Sequence, residues 1–219
     1  MDTLGSAEVA PLPGLRARKK QRTRDALLRA ALELFTTQGY EETTVDEIAE
    51  AVEVSQRTFF RYFAGKEEAA FAVQDMTEAQ YVEAVRARPR DESPMQAMRH
   101  ALVEGWDTLS EAVGVVVPVE LYLRMYRVIE STPSLLAAHL RRSVETEEKI
   151  ARVLAEREGL DVDADPRPRL AVAVFGGVIR VTERQWSIGE DFSLDAIREL
   201  TTAYLDQVGP ALTGSWRTT

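Results

Sequence analysis

Residues 44–66 read TVDEIAEAVEVSQRTFFRYFAGK, and two short helices joined by a tight turn fit them. Thr44 and Glu47, three residues apart, form a capping-box pair, and Val45, Ile48, Ala49 and Val52 follow at helical spacing. The pattern breaks at Glu53-Val54. Ser55 then caps a second short helix from Gln56 to about Phe63, ended by Ala64-Gly65. Upstream, Leu27, Leu28, Ala31, Leu34 and Phe35 define the apolar face of a helix over about Leu15–Gln38, and Gly39 suits its C-terminus. One helix lying across a short helical pair is the helix-turn-helix arrangement. Its last helix enters the major groove while the one before it crosses the backbone. An ordinary helical hairpin satisfies the same pattern.

The side chains at the start of the second short helix favour the DNA reading. Ser55, Gln56, Arg57 and Thr58 lead it, with Arg61 and Tyr62 one turn on. Glutamine pairs bidentately with adenine, arginine with guanine, and threonine meets a thymine methyl or a phosphate. Val54, Phe59 and Phe63 fall where a small core beneath would need them.

The net charge of −9 argues at first against nucleic acid, but its distribution reverses that. Residues 1–66 carry ten Lys/Arg against ten Asp/Glu, whereas 67–219 carry seventeen against twenty-six. Six of the nine residues from Arg16 to Arg24 are basic, Arg18 and Lys19 among them. Such a cluster attracts phosphate, and an acidic remainder stays off the duplex; a solvated helix start is the plainer alternative. At 219 residues, 45% hydrophobic and 29% charged, the chain has the balance of a soluble globular protein. The absence of cysteine excludes disulfides and cysteine-ligated zinc. No apolar run reaches the roughly 18–20 residues that span a bilayer, and Met1–Gly14 lacks a signal-peptide pattern. A cytoplasmic protein without membrane contact is expected.

Residues 1–15, with Pro11 and Pro13, read as a disordered tail. Beyond Lys66, which begins a helix reaching about Arg88, caps and prolines mark the remaining elements. Ser93-Pro94 with Gln96 opens a helix to about Val113, Pro118 one to about Glu130, and Thr132-Pro133 one ending near Gly159. After an acidic loop at Asp161–Asp165, Pro166 opens a helix to about Ile188, and Ser193 caps a last one ending near Gly209-Pro210. The fold class expected is all-α, with about nine helices and no β-type alternation.

Arg22–Lys66, RTRDALLRAALELFTTQGYEETTVDEIAEAVEVSQRTFFRYFAGK, closely resembles the DNA-binding domain of the tetracycline-repressor (TetR) family. The pieces ALLRAALELF, GY, TTVDEIA, VSQRTFFRYF and GKE stand in that family's order and spacing. The resemblance implies a DNA-binding domain over 16–66, followed by an effector-binding and dimerisation domain over 67–212. It further implies a ligand-responsive repressor that binds a palindromic double-stranded operator as a homodimer. It places Gln56, Arg57 and Thr58 in the groove, Tyr62 and Lys66 on phosphates, and Thr44 at the cap of the backbone-crossing helix. Two departures stand out. Phe60 occupies a position where tyrosine is common, and Glu53 a turn where glycine is frequent, which strains any side chain if φ is positive.

For the effector, Trp106, Tyr122, Met125, Tyr126, Phe175 and Ile179 are the expected ligand-lining residues, since such pockets are apolar with few polar groups. Each also fits plain core. Leu170–Val181, LAVAVFGGVIRV, is apolar on nearly every face, as for a helix covered on more than one side. Gly176-Gly177 disfavours helix by about 1 kcal/mol per glycine, which a close approach of backbone or ligand would offset. The resemblance implies that helices about 166–188 and 193–208 build the dimer interface. RMYRVIESTPSLLAAHL, with Trp186, also resembles a subgroup that includes the mycofactocin-system regulator, which implies an acyl-CoA as one small-molecule effector. Arg124, Arg127 and Arg180 are candidates for its anionic head, although Glu120 stands one turn before Arg124.

Nothing suggests an enzyme. There is no Gly-x-Ser-x-Gly, phosphate-cradling loop or His-Glu-x-x-His pattern, and His100 and His139 fall on separate helices. Glu145, Glu147 and Glu148 read as a solvated face. No cofactor or metal is expected. A scaffold would explain the helices but not the basic arm.

Overall fold

The computed structural model describes residues 14–214, and among them the chain forms nine helices and no strand. They are α1 (Leu15–Thr37), α2 (Val45–Glu50), α3 (Gln56–Phe60), α4 (Lys66–Ala87), α5 (Pro94–Gly114), α6 (Val119–Ser131), α7 (Pro133–Glu158), α8 (Arg167–Ser187) and α9 (Leu194–Thr213). The expected all-α class holds. All but the last two residues of the tail read at 1–15 lie outside the described residues.

Local chemistry sets the helix-turn-helix. The Thr44 hydroxyl accepts from the Glu47 N–H at 3.2 Å, and the Glu47 carboxylate accepts from the Thr44 N–H at 2.7 Å. Both halves of the capping box are therefore present. The Ser55 hydroxyl accepts from the Thr58 N–H at 3.3 Å. Between the two helices Glu53 has φ 54°, the left-handed region that the sequence flagged as costly for a side chain. Regular helix in α3 ends at Phe60 rather than Phe63. The N–H groups of Tyr62 and Phe63 both return to the Phe59 carbonyl, at 2.8 and 3.0 Å, so the segment closes as a turn.

The core does not stop at the helix-turn-helix. Leu27, Leu28, Phe35, Ile48, Phe59 and Phe63 belong to one buried cluster that also takes in Phe71 of α4, Leu121, Met125 and Ile129 of α6 and Leu135 of α7. A second cluster joins Val85, Met98, Leu154, Val172 and Phe175 between α4, α5, α7 and α8. A third gathers Leu123, Tyr126 and Trp186 against Phe192 and Leu194. There the Trp186 and Phe192 rings stack at 3.7 Å, and the Trp186 indole N–H donates to the Ser193 carbonyl at 3.0 Å.

Gly209-Pro210 does not end α9, which continues to Thr213 with Pro210 inside it. Proline removes one backbone donor, but the exposed turn survives the loss and the Gly214 N–H still reaches the Pro210 carbonyl at 2.8 Å. In α8, Val172, Phe175 and Trp186 are buried, while Leu170, Val174 and Val181 are exposed. Gly177 lies in open space, whereas a Cβ at Gly176 would collide with the Glu147 carboxylate. The group closest to Gly176 is thus the end of a side chain from α7, and Gly176 itself lines the cavity described below.

Candidate DNA-binding surface and effector cavity

On α3, Gln56, Arg57 and Phe60 are exposed on one face, with Arg61 beyond, while Phe59 is fully buried beneath. Spacing of i, i+1 and i+4 explains that face. Thr58 is half-buried and its hydroxyl lies 3.0 Å from that of Ser55. The Arg61 guanidinium donates to the Tyr62 hydroxyl at 3.3 Å and lies over its ring, 5.0 Å from the centroid. The Thr44 hydroxyl is bound up in the cap, 2.8 Å from Glu47. The Thr44 backbone N–H, accepted by Glu47, holds that carboxyl below the usual carboxylate range. Arg18 and Lys19 are exposed on the first turns of α1.

Lys66 differs from the phosphate contact that the resemblance implied. Its ammonium donates to the carbonyls of Tyr40 at 2.7 Å, Thr43 at 2.6 Å and Glu41 at 3.4 Å, and sits 4.6 Å from the centre of the Tyr40 ring. All three protons of an ammonium are committed there. Lys66 ties the start of α4 to the α1–α2 loop instead of projecting outward.

The second site is a cavity of about 590 Å³ lined by residues of α4–α9. Trp106, Tyr122, Tyr126, Phe175 and Ile179 line it. Met125 does not. It belongs to the i, i+4 row Leu121–Met125–Ile129 on the opposite face of α6, packed in the cluster shared with α1. Of the three candidate arginines, Arg180 lines the cavity and pairs with Glu147. Arg124 is exposed; Arg127 donates to the Gly189 carbonyl at 3.1 Å and covers the Phe192 ring at 4.0 Å.

One wall of the cavity is polar, and sequence reasoning did not find it. The Gln74 amide nitrogen donates to Glu78 at 2.9 Å and lies 2.9 Å from His139 Nδ1. Thr146 donates to the other Glu78 oxygen at 2.5 Å. With Nδ1 accepting, the imidazole proton falls on Nε2, which faces Glu183 at 3.7 Å. Burial lowers the His139 pKa, but the carboxylates of Glu183, Glu130 and Glu78 outweigh it and the net shift is upward. Burial pushes the Tyr122 hydroxyl up to about 12, and burial followed by nearby Glu183 raises that of Tyr126. In sequence, Gln74 looks like any helix-surface glutamine, and His139 like a core histidine. Their meeting depends on how α4 and α7 pack.

His100 is exposed and bonded to Glu92 at 2.9 Å. Among the described residues no three metal-binding side chains cluster, and no helix is long and apolar enough to cross a membrane.

Comparison with known proteins places this architecture. Residues 27–73 match the family described as bacterial regulatory proteins, tetR family, and residues 92–213 match the MftR C-terminal domain. The second match covers the segment whose likeness to the mycofactocin-regulator subgroup was read from sequence. The chain is 46% identical to the HTH-type transcriptional regulator TcmR of Streptomyces glaucescens over 216 residues, 99% of this chain and 96% of that one. Its fold is similar to that of SmeT, the repressor of the Stenotrophomonas maltophilia efflux pump SmeDEF, in complex with triclosan. That likeness has a TM-score of 0.62 at 16% identity, over 87% of this chain and 91% of SmeT. NalD of Pseudomonas aeruginosa is similar with a TM-score of 0.56 at 18% identity, over 86% of this chain and 96% of NalD. With helix-turn-helix and C-terminal segment both matched, the chain belongs to the tetR family of bacterial transcriptional regulators.

Proposed function

We propose that this regulator is a cytoplasmic, homodimeric repressor that holds a palindromic operator and releases it when a small apolar or amphipathic effector fills the cavity. Residues 16–66 form the DNA-binding part and 67–212 the effector and dimer part. Gln56 and Arg57 read base edges, with Thr58 and Ser55 at the groove. Arg61, Tyr62, Arg18 and Lys19 serve the phosphates, and Thr44 holds the backbone-crossing helix in place. Lys66 acts through the loop it fastens.

The observation that carries the reading is α4. Gln74 of this helix lines the cavity, and Lys66 at its first turn grips the α1–α2 loop. A ligand that moves α4 moves the helix-turn-helix; to release DNA it must favour the released state. The dimer is supported by the exposed Leu170, Val174 and Val181 on α8, which with half-buried Gly177 are spaced at alternating four and three residues. Two recognition helices must then meet grooves about 34–36 Å apart.

The test selects a bound duplex from random sequence and measures its affinity for the wild type, Gln56→Ala and Arg57→Ala. Each substitution is expected to relax preference at particular base pairs, by about 1–3 kcal/mol per bidentate contact. A sequence preference unchanged in both variants, or a monomer in sedimentation on and off the duplex, refutes the proposal.

A further inference from the structure

The polar wall specifies the kind of molecule that the cavity takes. Gln74 and Tyr126 both line it, with 7% and 6% of their surface exposed. Among the described residues, the Gln74 amide oxygen and the Tyr126 hydroxyl are buried without a hydrogen-bond partner. The Glu78 carboxylate orients the amide. Its nitrogen donates there at 2.9 Å, and a flipped amide would set its oxygen against that carboxylate. The atom left over is therefore a pure acceptor, and a buried acceptor is costly until a donor reaches it. Glu183, also on the wall, adds acceptor oxygens beside Tyr126.

Charge points the same way. Glu78, Glu104, Glu147 and Glu183 line the cavity. The single Lys or Arg side chain on that wall among the described residues is Arg180, already paired with Glu147. An anion entering there meets carboxylates, and must displace one of them from Arg180 or compete with Glu183, Glu130 and Glu78 for His139. Tyr122, Tyr126, Phe175, Trp106 and Trp186 offer flat apolar surfaces from several helices.

Building on the effector-controlled reading above, we propose that the effector is an uncharged, flat aromatic molecule whose hydroxyl donates to the Gln74 amide oxygen beside Tyr126. The hydroxyl thereby engages α4 itself, so recognition and movement of the linking helix are one contact. An acyl-CoA, with its anionic head, does not meet these requirements.

The test is calorimetric titration of the full-length protein with four probes: 2-naphthol, 2-methoxynaphthalene, 2-naphthoate and an acyl-CoA. Naphthol is expected to bind at least tenfold more tightly than its methyl ether, which has lost the donor, and both anions more weakly than naphthol. Gln74→Leu should weaken naphthol about tenfold and leave the methyl ether within threefold. Tyr126→Phe, which removes the hydroxyl beside Glu183 and keeps the ring, is expected to weaken naphthol severalfold. Equal binding of naphthol and its ether, equal losses for both in Gln74→Leu, or tightest binding of either anion overturns the donor subsite while leaving an effector cavity. Binding of none of the four overturns both this inference and the cavity reading on which it rests.

Discussion

Replacing Lys66 by methionine separates two roles that the sequence alone could not. Methionine keeps the unbranched stem and removes the charge, so the carbonyls of Tyr40 and Thr43 lose donors at 2.7 and 2.6 Å and Glu41 a weaker one at 3.4 Å. Hydrogen bonds to charged groups contribute about 1.5–3 kcal/mol each. Lys66 is half-buried and the freed carbonyls can partly rehydrate. The two short bonds therefore count at the low end, and the third and the Tyr40 ring add little. The expected loss is about 2–3 kcal/mol per protomer. For a chain of this size that lowers the melting temperature by roughly 5–10 °C. The salt dependence of duplex binding supplies the discriminating readout. A phosphate contact would take about 0.9 from the slope per protomer, or roughly 1.8 per dimer; a loop clamp would leave the slope alone while weakening binding at every salt concentration. The reasoning is refuted if Lys66→Met melts with the wild type and binds duplex with a flattened slope.

Three further outcomes follow from features described above. Glu53→Gly should raise stability by about 1 kcal/mol, because φ 54° is costly for a side chain; denaturant titration checks it, and a loss of stability would contradict it. His139 carries a pKa raised above its ordinary 6.5, so its stabilising protonation is complete below about pH 6.5 and disappears as pH rises through the higher folded value. It faces Gln74 and Glu78 of α4, Tyr126 and Glu130 of α6, and Glu183 of α8, and in His139→Gln the stability decline over that range should flatten; an unchanged profile refutes the assignment. Val181→Glu, on the exposed stripe of α8, should shift sedimentation toward monomer at micromolar protein without lowering the melting temperature of the protomer.

What could be read in the sequence was local. Thr44, Glu47, Ser55 and Ser93 announce helix starts because a cap needs a side chain and an N–H two or three residues away, and nothing else. Glu53 betrayed its turn because backbone strain also belongs to a single residue. The aromatic lining was half legible: helical spacing put Tyr122 and Tyr126 on one face of α6, yet it could not say that Met125 faces α1 instead. Lys66 and the Gln74–His139 pair were beyond reach for a different reason. Their partners lie 23–26 and 65 residues away in the chain, so their roles follow from tertiary packing. Pro210 misled because a helix near its exposed end tolerates the loss of one bond.

The shared core has a practical consequence for dissection of this protein. Phe63, Phe59 and Leu28 are sealed in one cluster with Phe71, Leu121 and Met125, which belong to α4 and α6. A polypeptide cut after Lys66 would leave those rings open to water, with a fold of some fifty residues, near the size at which a lone core is marginal. The reading head is therefore not a detachable cassette. A chimera that grafts it onto a foreign sensor would need to carry the α6 surface along with α1, and swapping at residue 66 alone should yield insoluble material.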